Sequence, residues 1–115
     1  MAWLVRDGRV LATLEVADSV RARMAGLLGR EGIEGAILLR PARSVHTLRM
    51  RFAIDVAFVD EDLRVLRVAT MKPNRLGRVV WKASGVIEAE AGAFARWDLA
   101  VGDELEIRAA TGEVL

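Results

Sequence analysis

The sequence predicts a mostly β fold of the α+β kind, a compact antiparallel β-sandwich or partly closed barrel of about six or seven short strands with one or two short helices. Three observations predict it. Short runs with alternating apolar and polar residues recur along the chain, as in Glu104 to Ala109. Glycine, proline, or aspartate punctuates most of them, as at Asp7-Gly8 and Gly102-Asp103. No strand–helix–strand repeat appears, so a doubly wound parallel sheet is not expected. At 115 residues the chain reads as one domain over 1–115, able to bury a modest core without staples.

Trp3 to Val16 reads as a β-hairpin. Asp7-Gly8 is a favoured two-residue turn, because glycine tolerates the positive φ that the turn needs. Val10, Ala12, Leu14 and Val16 share one face, and Leu11, Thr13 and Glu15 share the other. Asp18-Ser19 can cap a short helix that carries Val20, Met24, Leu27 and Leu28 on one side and ends at Gly29. Ala36 to Leu39 is a short apolar run stopped by Arg40-Pro41, and Val45 to Leu48 reads as another extended piece.

Ile54 to Val59 is a stronger strand, with Ile54, Val56 and Phe58 on one face. Asp60-Glu61-Asp62 turns the chain, and Leu63 to Met71 returns antiparallel to it. Arg64 and Arg67 are three apart, which demands either a bulge or an inward arginine. A basic loop follows, Lys72 to Arg78. Gly85 to Ala91 is a strand with Ile87 and Ala89 opposite Glu88 and Glu90. Gly92 to Trp97 suits one or two helical turns, and the last strand puts Leu105, Ile107 and Ala109 inside.

Composition narrows the chemistry. There is no cysteine, which excludes disulfides, thiolate metal sites and cysteine nucleophiles, and a single histidine excludes a multi-histidine metal centre within one chain. No cofactor and no metal are expected. No apolar stretch is long enough to span a bilayer, and a charged turn interrupts the first residues before any signal-peptide core, so a cytoplasmic protein is expected. The net charge of +1 hides an asymmetry: residues 1–82 hold fifteen basic and nine acidic side chains, residues 83–115 two and seven. Either the two segments neutralise each other, or one face of the molecule is basic.

Several blocks carry a resemblance. They are Ala17 to Arg30; Val45-His46-Thr47-Leu48-Arg49-Met50-Arg51 running into Phe52 to Asp60; Met71-Lys72-Pro73; Val86 to Gly92; and Gly102-Asp103. In order and spacing these resemble the domain of unknown function 192 family, also called uncharacterised protein family 0127, a bacterial and archaeal group without an established activity. The resemblance covers nearly the whole chain. It departs at Ala53, where similar sequences often carry proline. It implies a compact β-sandwich-like fold with one helix, and it brings no reaction, cofactor or catalytic residue.

The candidate ligand-binding residues are His46, Thr47, Arg49, Arg51, Asp55 and Glu88. His46 is an imidazole beside a hydroxyl, two arginines and a carboxylate, a set suited to acid–base chemistry or to fixed hydrogen bonding. Asp55 and Glu88 are acids in apolar strands, and a buried acid must be hydrogen-bonded or ion-paired. Arg49, Arg51 or Arg67 are the expected partners of Asp55. A Ser84-His46-Asp55 triad lacks the strand–elbow–helix context that a nucleophile needs. The cations at 40, 43, 49, 51, 64, 67, 72, 75, 78 and 82 can form an anion-binding face, with Trp81 as a stacking surface.

The leading expectation is a small binding module with a polar cleft for a small anionic or polyhydroxy ligand, acting as a monomer or weak dimer. The alternatives are a hydrolase or lyase that uses His46 with a carboxylate, and a protein-interaction domain. Nucleic acid is disfavoured, because the net charge is near zero and interleaved aromatics are scarce.

Overall fold

A computed structural model describes residues 2–19 and 30–115. The strands are β1 (Ala2–Arg6), β2 (Arg9–Ala17), β3 (Ala36–Leu39), β4 (Ile54–Val59), β5 (Val65–Met71), β6 (Gly85–Glu90) and β7 (Glu106–Ala109). Among the described residues one short helix, α1 (Ala93–Trp97), lies between β6 and β7. The strands form a single seven-stranded sheet in the order β5-β4-β6-β3-β2-β1-β7. The helix expected to start at Asp18-Ser19 and end at Gly29 falls outside the described residues.

The sheet curls so that its two ends meet at one corner without closing. Val65 N–H donates to the Asp103 carbonyl at 2.9 Å, Gly102 N–H to Val65 at 2.8 Å, and Leu105 N–H to Leu63 at 3.1 Å. These bonds join the entry of β5 to the approach of β7; beyond them β7 bridges the C-terminal residues instead, Arg108 to Val114. Two of the strand pairs carry bulges, which bend the sheet locally.

One pair departs from the antiparallel expectation: β2 and β3 run parallel, with Glu15 opposite Ile37. Residues 18–35 provide the dozen or more residues that a parallel return requires. All other pairs are antiparallel.

Alternation assigns each strand residue to one of two faces. The inner face carries Leu4, Leu14, Leu38, Ala57, Ile87 and Ile107, closed at one end by Phe94 of α1. The outer face carries Ile37, Leu39, Ile54, Val56, Phe58 and Val86, packed by Ile33, Met50, Val45 and Val80 from the loops. Central strands β3 and β4 are therefore buried on both sides, and β6 is buried up to Glu90. The expected faces of Ile54, Val56 and Phe58 and of Leu105 and Ile107 are the observed ones.

Two local details settle open points. Of the two alternatives that Arg64 and Arg67 left open, the bulge is the one observed: Phe58 pairs with Arg67 and Val59 with Val65, so Leu66 is the extra residue. Alternation puts Val10 on the face of Leu14, but Val10 is 54% exposed and Leu14 is buried. A second bulge is the reason, since Leu4 pairs with Ala12 and Val5 with Val10, and Leu11 is inserted between them. That insertion turns Val10 away from the face occupied by Leu14.

Candidate functional site

The segments 42–50 and 72–80 lie side by side as an irregular ribbon over the outer face. Val80 N–H donates to Arg43 at 2.8 Å, Gly77 N–H to Val45 at 2.9 Å, Thr47 N–H to Arg75 at 2.8 Å, and Asn74 N–H to Thr47 at 2.7 Å. A side chain at Gly77 would collide with the Val45 carbonyl, so glycine is needed for this approach. Ala42, Val45 and Val80 point into the outer core, whereas Arg43, His46, Leu76, Arg78 and Val79 point to solvent.

Thr47 is the pivot of the ribbon. It is fully buried. Its Oγ1 donates to the Lys72 carbonyl at 2.6 Å and accepts the Arg75 N–H at 2.9 Å. With its own N–H and carbonyl also engaged, every polar atom of Thr47 holds one loop to the other. Next to it, Arg49 and Asn74 both adopt positive φ, 65° and 61°. The Asn74 Oδ1 accepts the Arg49 N–H at 2.9 Å, which fixes this pair of turns.

His46 is exposed on the outward side, bridged to Leu76, and its Nδ1 accepts the Leu48 N–H at 3.3 Å. No carboxylate among the described residues is bonded to it. Arg51 is exposed and reaches Glu31 at 3.3 Å. Both members of that pair are solvated, so it contributes little to stability.

Asp55 and Glu88 do not join this group. Asp55 projects to the inner face, where Thr70 Oγ1 donates to its Oδ1 at 2.7 Å. Its Oδ2 accepts the N–H of Gly92 at 3.0 Å and of Phe94 at 3.1 Å. None of Arg49, Arg51 and Arg67 is its partner, contrary to expectation: the carboxylate instead caps the first turn of α1, whose own N-cap, Gly92, has no side chain for the task. At the other end of α1, Arg6 donates to the Trp97 and Asp98 carbonyls at 2.6 and 3.0 Å.

Glu88 projects to the outer face, between Ile37 of β3 and Val56 of β4. Only 4% of it is exposed, and it accepts no hydrogen bond from another described residue. Burial pushes its carboxyl up from 4.5 to about 7, and the nearby Arg30 guanidinium acts in the opposite sense. Arg30 itself is paired with Glu15 at 3.2 Å, one strand further along the same row. The six candidate residues are thus divided: His46, Thr47 and Arg49 in the ribbon, Arg51 paired towards Glu31, and the two carboxylates on opposite faces of the sheet.

Charge separates along the chain in the same way. Between Glu34 and Asp55 the sequence has four arginines and no acid, and between Asp62 and Glu88 it has six cations and no acid. Arg6, Arg30, Arg51, Arg64, Arg96 and Arg108 each pair with a carboxylate. Arg67, Lys72, Arg75 and Arg78 do not, and they line one open groove of about 390 Å³ between β5 and the basic loop. Phe58, Ala69, Met71 and Leu76 supply its apolar surface. The residues that make this groove were visible in the sequence as a basic run, but their convergence depends on the ribbon folding back over β5.

These features define a class: an incompletely closed, curled mixed β-sheet whose outer face is strapped by a basic two-segment ribbon. The chain belongs to the domain of unknown function 192 family, described as "Uncharacterized ACR", whose profile matches residues 2–107. It is 33% identical over 111 residues to UPF0127 protein PF1050 of Pyrococcus furiosus, covering 92% of this chain and 96% of that protein. It is 31% identical over 84 residues to UPF0127 protein PH1112 of Pyrococcus horikoshii, covering 69% and 73%. The fold is shared with a crystal structure of a protein of unknown function from Novosphingobium aromaticivorans, at TM-score 0.76 and 20% identity over 91% of this chain and 82% of that one. It is shared also with a Sinorhizobium meliloti protein described provisionally as a transcription regulator, at TM-score 0.78 and 21% identity over 91% and 90%. No helix among the described residues is long and apolar enough to cross a membrane.

Proposed function

We propose that the protein is a small binding module that takes a small anionic ligand in the groove of Arg67, Lys72, Arg75 and Arg78. The observation that supports it is convergence: Arg67, Lys72, Arg75 and Arg78 line one groove that no acidic residue lines. Guanidinium groups offer forked donors to phosphate or carboxylate, and the apolar surface of Phe58, Met71 and Leu76 suits a ligand with a carbon skeleton. Thr47 positions this site, because its hydroxyl fixes the Lys72 carbonyl and the Arg75 amide. His46 and Arg49 belong to the adjoining ribbon. Asp55 supports α1 and lies outside the site. The reading carries with it a cytoplasmic monomer or weak dimer; the lack of cysteine suits a reducing compartment.

Thermal unfolding in the presence of pyrophosphate, citrate and an uncharged sugar tests the reading. A ligand that binds only the folded protein raises the midpoint by mass action. The expected result is a shift with an anion that is absent with the sugar, shrinks as salt is raised, and disappears in Arg75→Ser with Arg78→Ser. An anion shift that persists undiminished in that double variant would overturn it, as would the absence of any shift.

A further inference from the structure

The outward side of the ribbon carries more than charge. Leu76 is 78% exposed and Trp81 76%, and Val79 and Leu48 are exposed beside them. Leu48 is bonded to His46 and His46 is bridged to Leu76, and Val79 and Trp81 follow a few residues on in the chain. Arg49, Arg75, Arg78 and Lys82 alternate with them, and neither segment contains an acid. The fold has no use for these apolar groups, since the ribbon already packs Val45, Thr47 and Val80 inwards. Isolated exposed apolar residues are ordinary, but a chain of them between unpaired cations is a surface with a partner.

We propose that this side of the ribbon docks on an anionic lipid surface, with Leu76 and Trp81 entering the interfacial layer and the cations resting on the headgroups. Three features select this occupant. The cations demand a negative partner. Aliphatic Leu76, Val79 and Leu48 gain nothing from phosphates or bases, which sets nucleic acid aside. Leu76 and Trp81 stand out at more than three-quarters exposure, so they fit a soft medium that yields around a protruding side chain. Tryptophan, leucine and basic residues on one face are the composition by which proteins lie on membranes without crossing them. This goes beyond the groove reading, with which it shares Arg75, Leu76 and Arg78.

Co-sedimentation of the full chain with vesicles tests it. Vesicles of phosphatidylcholine and phosphatidylglycerol in equal parts should retain the protein at low salt and release it at high salt, when the charges are screened. Vesicles of phosphatidylcholine alone should not retain it. Leu76→Ser with Trp81→Ser should lower partition about tenfold, the effect of removing roughly one buried apolar side chain's worth of transfer free energy. Its unfolding midpoint should not fall, because both side chains are solvated. Failure to bind the anionic vesicles overturns the proposal, and so does binding that the apolar double variant leaves unchanged or that duplex DNA displaces. The groove reading is scored separately, on the parent chain: a midpoint shift with citrate or pyrophosphate, without vesicle binding, overturns the docking face alone. Vesicle binding without such a shift overturns the groove alone.

Discussion

Asp55 and Glu88 sit on adjacent strands, each 4% exposed, and the sheet separates them by one face. Their surroundings are opposite. Asp55 accepts three hydrogen bonds, one from a hydroxyl and two from backbone amides at the start of α1. Glu88 accepts none from the described residues, and its carboxyl is pushed up to about 7 by burial. A buried carboxylate held by three donors is a fastener, and one whose carboxyl burial pushes up is a proton-binding group. The same residue class in the same kind of strand thus does two different jobs, and the distinction lies in where donors arrive from elsewhere in the chain.

The largest expected effect breaks the fastener. Asp55→Ala leaves two amides and a hydroxyl without their acceptor, and three charge-assisted bonds at about 1.5 kcal/mol each predict a loss of about 4 kcal/mol. Urea unfolding measures it. Asp55→Asn keeps one carbonyl oxygen, so about half of that loss is expected. Equal stability of Asp55→Ala and the parent chain would mean that α1 is held by its packing through Phe94 alone.

The next effect tests Glu88 through pH. The unfolded carboxyl titrates near 4.5 and the folded one near 7, so between these values the folded state binds the proton more tightly. Stability from this group is fully present below about pH 4.5, declines as pH rises, and is lost above about pH 7. The total is about 3 kcal/mol. Glu88→Gln keeps the neutral form at every pH. It should therefore match the parent at low pH and exceed it by up to about 3 kcal/mol at about pH 8. Parallel pH profiles for the two proteins would show that the carboxyl is not destabilised by burial.

Sequence pattern exposed much of the sheet and little of this contrast. β4 coincides with the run Ile54 to Val59, and the spacing of Arg64 and Arg67 revealed a real bulge, because both are local signals of period two. The second bulge, which turns Val10 outwards, left no such mark in an uninterrupted apolar run. The parallel pairing of β2 with β3 was hidden too, since a long connection is compatible with either direction. Asp55 and Glu88 both read as acids among apolar residues. The donors that separate them come from Thr70, Gly92 and Phe94, fifteen to thirty-nine positions away, and no spacing rule reaches that far. The basic groove was half legible: the acid-free runs stand in the sequence, but which arginines find carboxylates depends on tertiary contacts such as Arg6 with Asp103.

Thr47 sharpens the comparison with the smallest effect, because it is the third buried polar side chain among the described residues and it carries no charge. It resembles Asp55 in being saturated, and it ties non-local segments, 45–48 to 72–75. Thr47→Val preserves shape and removes the hydroxyl, leaving the Lys72 carbonyl and the Arg75 amide short of a partner; a loss of about 2 kcal/mol follows. Thr47→Ser retains the hydroxyl and should lose less than half as much. If saturation of a buried polar atom is what fastens these segments, Val must be the worse substitution despite its better fit to an apolar neighbourhood. The same variant also loosens Arg75 and Lys72, so anion binding in the groove should weaken further than the stability change alone predicts. A Val variant as stable as the Ser variant would instead mean that the ribbon is held by its four backbone bonds, with the hydroxyl incidental.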